Sequence, residues 1–167
     1  PYSALWYQRR VRGMTDLAKF IIPEQSEILN TDKKFPEVFG RRLTISSDTD
    51  EEILIHLSFK QAVQVKEIVL YGSNDQAMPR ELQVFDGSVA FDKVKSLKPA
   101  YKGATNFKLQ ASSHKIPLNQ LTSTSSITLF IPGNLKGEET TQMQGFAVFG
   151  LENQALDVRG HKFGCGG

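Results

Sequence analysis

Residues 46–59 constrain the fold more than any other stretch: Ser46-Ser47-Asp48-Thr49-Asp50-Glu51-Glu52-Ile53-Leu54-Ile55-His56-Leu57-Ser58-Phe59. Four acids lead into a segment where apolar residues recur at Ile53, Ile55, Leu57 and Phe59. Successive side chains of a strand point to opposite faces, so this alternation predicts a half-buried β-strand. His56 falls on the opposite face of that strand.

Further strand signals follow along the chain. Arg42–Ser46, Val63–Tyr71, Leu82–Phe85, Asn106–Leu109, Ser126–Ile131 and Met143–Phe149 are short and rich in Val, Ile, Phe and Thr, with turn residues between them. Gly72-Ser73-Asn74-Asp75 and Pro132-Gly133-Asn134 read as loops, and residues 86–105 have mixed periodicity. Asp16 to Pro23 reads as a short helix or extended piece ended by proline. Residues 24–40 read as loop, with Asn30-Thr31-Asp32 and Phe35-Pro36 as breakers. No long helical periodicity, heptad or internal repeat is present, so the pattern predicts an antiparallel sandwich or barrel.

A chain of 167 residues with 40% apolar and 23% charged residues suits one domain with a core of its own. The expected division is an N-terminal arm at 1–13, a sandwich domain at 14–151 and a C-terminal tail at 152–167. The formal net charge is +2, yet Arg9, Arg10 and Arg12 of the arm account for more than this, leaving the body slightly acidic. A nucleic-acid binder shows a basic face on its body, so nucleic acid is not an expected partner. No apolar run approaches the roughly 20 residues of a membrane helix, so no membrane partner is expected either. The arm lacks the apolar core of a secretory signal. The chain begins at proline, which reads as a processed or trimmed start, with Met14 an alternative one. A single cysteine, Cys165, allows neither an intrachain disulfide nor a CxxC redox motif, and this fits a reducing compartment.

Several blocks together resemble one family, the PITH domain. Asp16-Leu17 through Phe20-Ile21 and then Ile28-Leu29-Asn30 resemble its opening, with Ile28 where a cysteine is common. Ser47-Asp48-Thr49-Asp50-Glu51-Glu52-Ile53-Leu54-Ile55 and Phe59-Lys60-Gln61-Ala62-Val63-Gln64-Val65-Lys66 resemble its next blocks, as do Pro79 to Phe85 and Phe91-Asp92. Ser126 to Ile131, Asn134, Gly137-Glu138-Glu139-Thr140-Thr141 and Phe146 to Gly150 resemble its closing block. The resemblance implies an all-β jelly-roll sandwich of the galactose-binding-like kind, here with short extended terminal segments. It also implies a protein-interaction role. Family members with an N-terminal thioredoxin domain dock on the regulatory particle of the proteasome. This chain, lacking a thioredoxin domain, resembles the stand-alone members.

The candidate contact residues fall in three places. The first is the acidic run Asp48, Asp50, Glu51 and Glu52. Its carboxylates are hard oxygen ligands of the kind that hold a cation, but a turn whose Asp side chains bond nearby amides accounts for it more simply. The second is Glu138 and Glu139, where the hydroxyls of Thr140 and Thr141 are suited to fixing the register of the last strand. Were the two acidic loops neighbours, they would form one docking patch for a basic partner. The third is the arm, where Trp6, Tyr7, Arg9, Arg10 and Arg12 are the residue types enriched at interface hot spots.

Catalysis is not expected. No Ser–His–Asp or Cys–His set can be built from spacing, and no phosphate-cradling glycine loop appears. His114 reads as part of a polar loop, and His161 and Cys165 as part of a flexible glycine-rich tail. No cofactor or metal is expected. The expectation is therefore a non-catalytic binding module in the cytoplasm, with nucleus and cilium as alternatives, docking on the proteasome regulatory particle. The alternatives are an architectural subunit of a large assembly such as the ciliary doublet microtubule, and a carbohydrate- or small-ligand-binding sandwich.

Overall fold

The computed structural model describes residues 14–39, 41–72, 77–105, 107 and 113–152. The expected arm and most of the expected tail, hence Trp6, Tyr7, Arg9, Arg10, Arg12, His161 and Cys165, lie outside the described residues, as does most of Asn106–Leu109.

The two strands expected at Ile53–Phe59 and Val63–Tyr71 are one continuous antiparallel strand, β4 at Ile53–Tyr71. The other strands are β1 (Thr15–Asp16), β2 (Glu27–Leu29), β3 (Ile45–Ser46), β5 (Glu81–Asp86), β6 (Tyr101–Ala104), β7 (Ser113–Pro117), β8 (Ser123–Ile131), β9 (Gln142–Met143) and β10 (Phe146–Glu152). β10 thus ends one residue past the expected domain boundary. The first half of β4 lies between β8 and β2, and β5 and β6 extend that layer beyond β8. Its second half lies between β10 and β7, with β1 beyond β10. One strand therefore serves both layers, and the sheet curls round its own core. β3 and β9 form a separate two-stranded pair.

The handover between layers is visible in the side-chain phase. Ile53, Ile55, Leu57, Phe59, Val63 and Val65 all enter the main core, and then Ile68 and Leu70 do. The inward set changes from odd to even numbers because Glu67 pairs with Phe149 and Val65 with Gly150, leaving Lys66 without an opposite residue. A single inserted residue of this kind is a β-bulge, which shifts the side-chain phase by one and bends the strand. Gly150 faces the bulge. A Cβ built on it would run into the backbone carbonyl of Gln64, so only glycine lets the strands approach here.

The outer face of the first layer is covered too. Leu54, Phe85, Val94 and Phe130 form a second apolar cluster, packed by Leu29, Val89 and Phe91. Phe91 meets Phe130 edge-on at 6.2 Å between centroids. Part of the stretch of mixed periodicity is therefore a cover folded over β5, β8 and β4. His56 lies on this outer face, as expected, with Nδ1 3.4 Å from the Thr128 hydroxyl.

Four local expectations are corrected. Residues 24–40 are not all loop: Glu27–Leu29 pairs with β4, and Phe35–Val38 form a helical turn, α1, whose start is fixed by the Glu37 carboxylate accepting the Lys34 N–H at 2.7 Å. Pro36 breaks nothing there, since a proline fits the first turn of a helix. Asp16 caps a 3-10 turn, Leu17–Phe20, and Pro23 starts a second rather than ending the first. Of Arg42–Ser46 only the last two residues form a strand. His114 belongs to β7, opposite Leu70, and not to a polar loop. Among the described residues no helix is long and apolar enough to cross a membrane.

The half-buried His114 ring packs 6.1 Å from that of Phe107, and burial holds its pKa below the ordinary imidazole value of 6.5. The unfolded chain thus binds this proton more readily than the folded one. The contribution of His114 to stability is complete above its unfolded pKa and is lost as the pH falls through the lowered folded value. The denaturation midpoint should accordingly fall as the pH is lowered from about 7 to about 5. His114→Gln should flatten that part of the profile, which pH-resolved urea melts would read directly.

Candidate functional site

Each of the two acidic loops is built round one asparagine. Asn30 has a backbone φ of 64°, in the left-handed region that asparagine tolerates better than most residues. Its Nδ2 donates to Asp50 Oδ1 at 2.8 Å and to the Glu52 carbonyl at 2.6 Å. Its Oδ1 accepts the Thr49 N–H at 2.9 Å and the Thr49 hydroxyl at 2.8 Å, while its carbonyl accepts the Asp48 N–H at 2.9 Å. The acidic run is therefore wrapped round a side chain 20 residues upstream of Asp50. Asp50 also accepts the Glu52 N–H at 2.9 Å, so this carboxylate shapes the loop through an amide bond, in the manner of an Asx turn.

Asn134, only 2% exposed, does the same for the second loop. Its Oδ1 accepts the Glu138 N–H at 2.7 Å. Its Nδ2 donates to the Glu138 carbonyl at 2.9 Å and the Thr141 hydroxyl at 3.0 Å.

Thr141 joins the two loops. Its fully buried hydroxyl donates to the Glu51 carbonyl at 2.6 Å. Its N–H donates to the Ser47 hydroxyl at 2.8 Å, and its carbonyl accepts the Ser47 N–H at 2.9 Å. The acidic loops, about 90 residues apart in sequence, are thereby side by side where β4 begins and β8 ends, as the Ile53–Ile131 pairing requires. Of the GEETT threonines Thr141 bonds backbone as expected, but its bonds tie the two loops together, while the last strand, β10, takes its register from β4.

The carboxylates fall into two groups. Asp50 is committed to the loop, and Glu52 is paired with the Lys95 ammonium. Lys95 is held above its ordinary pKa by its bond with Glu52 and the attraction of that carboxylate, with Asp50 and Glu51 adding to the field. Glu51 lies beside Arg80 over Gly133: a Cβ there would be 3.4 Å from Glu51 Cγ and 3.2 Å from Arg80 Nε. Asp48, Glu138 and Glu139 are exposed, and their carboxylates have no intramolecular partner among the described residues. An open cleft of about 460 Å³ beside Glu138 and Glu139 is lined by these two and by Ala77, Gly137, Thr140 and Gln142. Among the described residues no three His, Cys, Asp or Glu side chains converge as a metal-ligand set.

Sequence reasoning pointed to the acids and overlooked the two asparagines that organise them. The available signal was an asparagine at the end of a strand signal (Asn30) and another in a Pro-Gly-Asn loop (Asn134), both places where the amide side chain bonds local backbone.

Solved structures resemble this architecture over most of the chain. A CBM32 domain (CBM32-3) from a family 31 glycoside hydrolase of Clostridium perfringens superposes with a TM-score of 0.58 at 10% identity, covering 80% of this chain and 97% of that one. The family 32 CBM of C. perfringens NanJ, solved with galactose, gives 0.55 at 9% identity, covering 78% and 98%. A fucose-binding module of Streptococcus pneumoniae gives 0.55 at 13% identity, covering 83% and 96%. At such identities the likeness shows the fold, a galactose-binding-like jelly-roll sandwich. A PITH domain-containing protein of Drosophila pseudoobscura pseudoobscura is 24% identical over 113 residues, or 66% of this chain. The chain spans about half of that relative's length, 53%. The blocks quoted from the sequence and a match to the PITH domain over residues 8–159 agree: the chain belongs to the PITH domain family.

Proposed function

We propose that this chain is a non-catalytic protein-interaction module that docks a basic partner surface on the acidic end of its sandwich. The observation that carries this reading is the Thr141–Glu51–Ser47 linkage, which holds two acidic loops together and leaves Asp48, Glu138 and Glu139 turned to solvent. Such a surface is preorganised, so binding does not have to order it first. The same end already attracts one ammonium group, that of Lys95. Leu135, 42% exposed, sits in the turn between Asn134 and Glu138 and supplies an apolar contact within a charged rim. The proteasome regulatory particle is the partner that the family resemblance nominates, in the cytoplasm or nucleus.

Among the described residues the lining of the cleft at this end holds no aromatic side chain, which weighs against a sugar as its ligand. Glu138→Lys with Glu139→Lys, both with exposed side chains, should leave the melting temperature within about a degree or two. The same pair should cut recovery of the basic partner in affinity purification severalfold, since like charges across an interface repel. Unchanged recovery would refute docking through this end.

A further inference from the structure

A second surface lies close by, with opposite charge and different chemistry. A groove of about 170 Å³ is bounded by β10, α1 and the segment after it, with Ile21, Val38, Phe39, Phe146 and Val148 giving it an apolar floor. Arg41 and Arg42 stand at its rim. Arg42 is stacked on Tyr71, with its guanidinium carbon 3.9 Å from the ring centroid, which holds the cation in place over the groove. Neither arginine has a carboxylate partner among the described residues. The one acid in the lining, Asp16, uses its Oδ1 to accept the Ala18 N–H at 2.9 Å. The groove is thus a net basic, aromatic-lined depression.

We infer that this groove receives a short acidic segment of a protein partner, with one large apolar side chain buried on the floor and flanking carboxylates on Arg41 and Arg42. The volume decides the kind of occupant. Pockets for whole small ligands run to about 300–1,000 Å³, whereas this one matches a single anchoring side chain of the type that dominates protein interfaces. Charge decides the rest, because arginine forks pair with carboxylates in two-point geometry. An extended polyanion or an anionic membrane suits the site poorly. Phe146 of the groove follows Gln142 of the acidic cleft by four residues, at most about 14 Å of chain, so a long anionic surface would also meet Glu138 and Glu139. This inference rests on the groove alone and does not depend on docking at the acidic end.

The test uses the purified full chain and an immobilised array of short peptides. Each peptide carries one Leu, Phe, Tyr or Trp flanked by Asp or Glu, beside counterparts flanked by Lys or Ser. Binding confined to acidic–apolar peptides is expected. The best of them, titrated in solution, should shift the NMR resonances of Phe39, Tyr71 and Phe146. Arg41→Glu with Arg42→Glu should weaken it about tenfold or more, while Glu138→Lys with Glu139→Lys should not weaken it. Both arginines are exposed, and an unchanged melting temperature confirms that the fold persists. No binding by any acidic–apolar peptide, shifts mapping elsewhere, or indifference to the arginine reversal would each overturn the inference. So would binding of phosphatidylserine vesicles in place of the peptides.

Discussion

Gly150→Ala is expected to be among the most damaging single substitutions in this chain. The added methyl group would collide with the Gln64 carbonyl, with Leu17 Cδ1 also only 3.1 Å away. The obstacle is backbone in the strand that carries both layers, so it cannot swing aside as a side-chain tip would. Relief requires pulling β10 away from β4 at the bulge, which loosens Leu17, Val65 and Val148 in the main core. Overpacking against a rigid neighbour costs about 1–3 kcal/mol, and loss of adjacent pairing adds to it. A loss of about 3 kcal/mol or more is expected, or a fall of about 6–12 °C in melting temperature for a domain of this size. Gly137→Ala, where no atom lies within 4 Å of the added carbon but φ is +68°, should cost only about 1 kcal/mol. Thermal melts of the two variants separate steric exclusion at the bulge from the general cost of replacing a glycine.

Asn134→Ala is expected to have the second large effect, and a different kind of effect. It strips the amide that bonds the Glu138 N–H, the Glu138 carbonyl and the Thr141 hydroxyl in a nearly solvent-free position. Buried groups left without partners cost about 1–3 kcal/mol each, although the Glu138 groups regain water as the loop opens. A net loss of about 2–4 kcal/mol follows, together with release of Glu138 and Glu139 from their fixed positions beside Asp48. Partner affinity should fall even at temperatures where the variant is fully folded. Thr141→Val, which keeps shape but removes the hydroxyl bond to Glu51, should reproduce part of both losses. Calorimetry combined with partner titration would read stability and affinity on the same samples. Full affinity in a destabilised Asn134→Ala would show that loop order is irrelevant to docking.

These two positions also show what could be read from the sequence. The strands beginning at Ile53 and at Val63 are both plain from their apolar residues, but their union into one strand is hidden by Lys60, Gln61 and Ala62, which interrupt the apolar phase while the backbone stays extended. The phase change at Lys66 depends on Gly150, 84 positions away, and no local pattern carries it. β6 and β7 escaped notice because an edge strand need not alternate. Tyr101-Lys102-Gly103-Ala104 and Ser113-His114-Lys115-Ile116-Pro117 each carry few of the residues that favour sheets. Arg42 reads as a strand residue and instead stacks on Tyr71, a contact that exists only once β4 and the chain after α1 are neighbours. The acids of the candidate site were evident from composition alone. Their union into one surface was not, because it rests on hydrogen bonds between Ser47, Glu51 and Thr141 that span some 90 residues.

The central claim is that the acidic end docks a basic protein partner. Affinity purification of the tagged chain with quantitative mass spectrometry, at low and high salt, tests it most directly. Exposed charge pairs are screened as the Debye length shrinks from about 10 Å at 0.1 M salt to about 3 Å at 1 M. A basic partner, with the proteasome regulatory particle as the nominated one, should be recovered at low salt and lost at high salt. A set of partners held at fixed stoichiometry through high salt would contradict the claim and mark the chain as an architectural subunit.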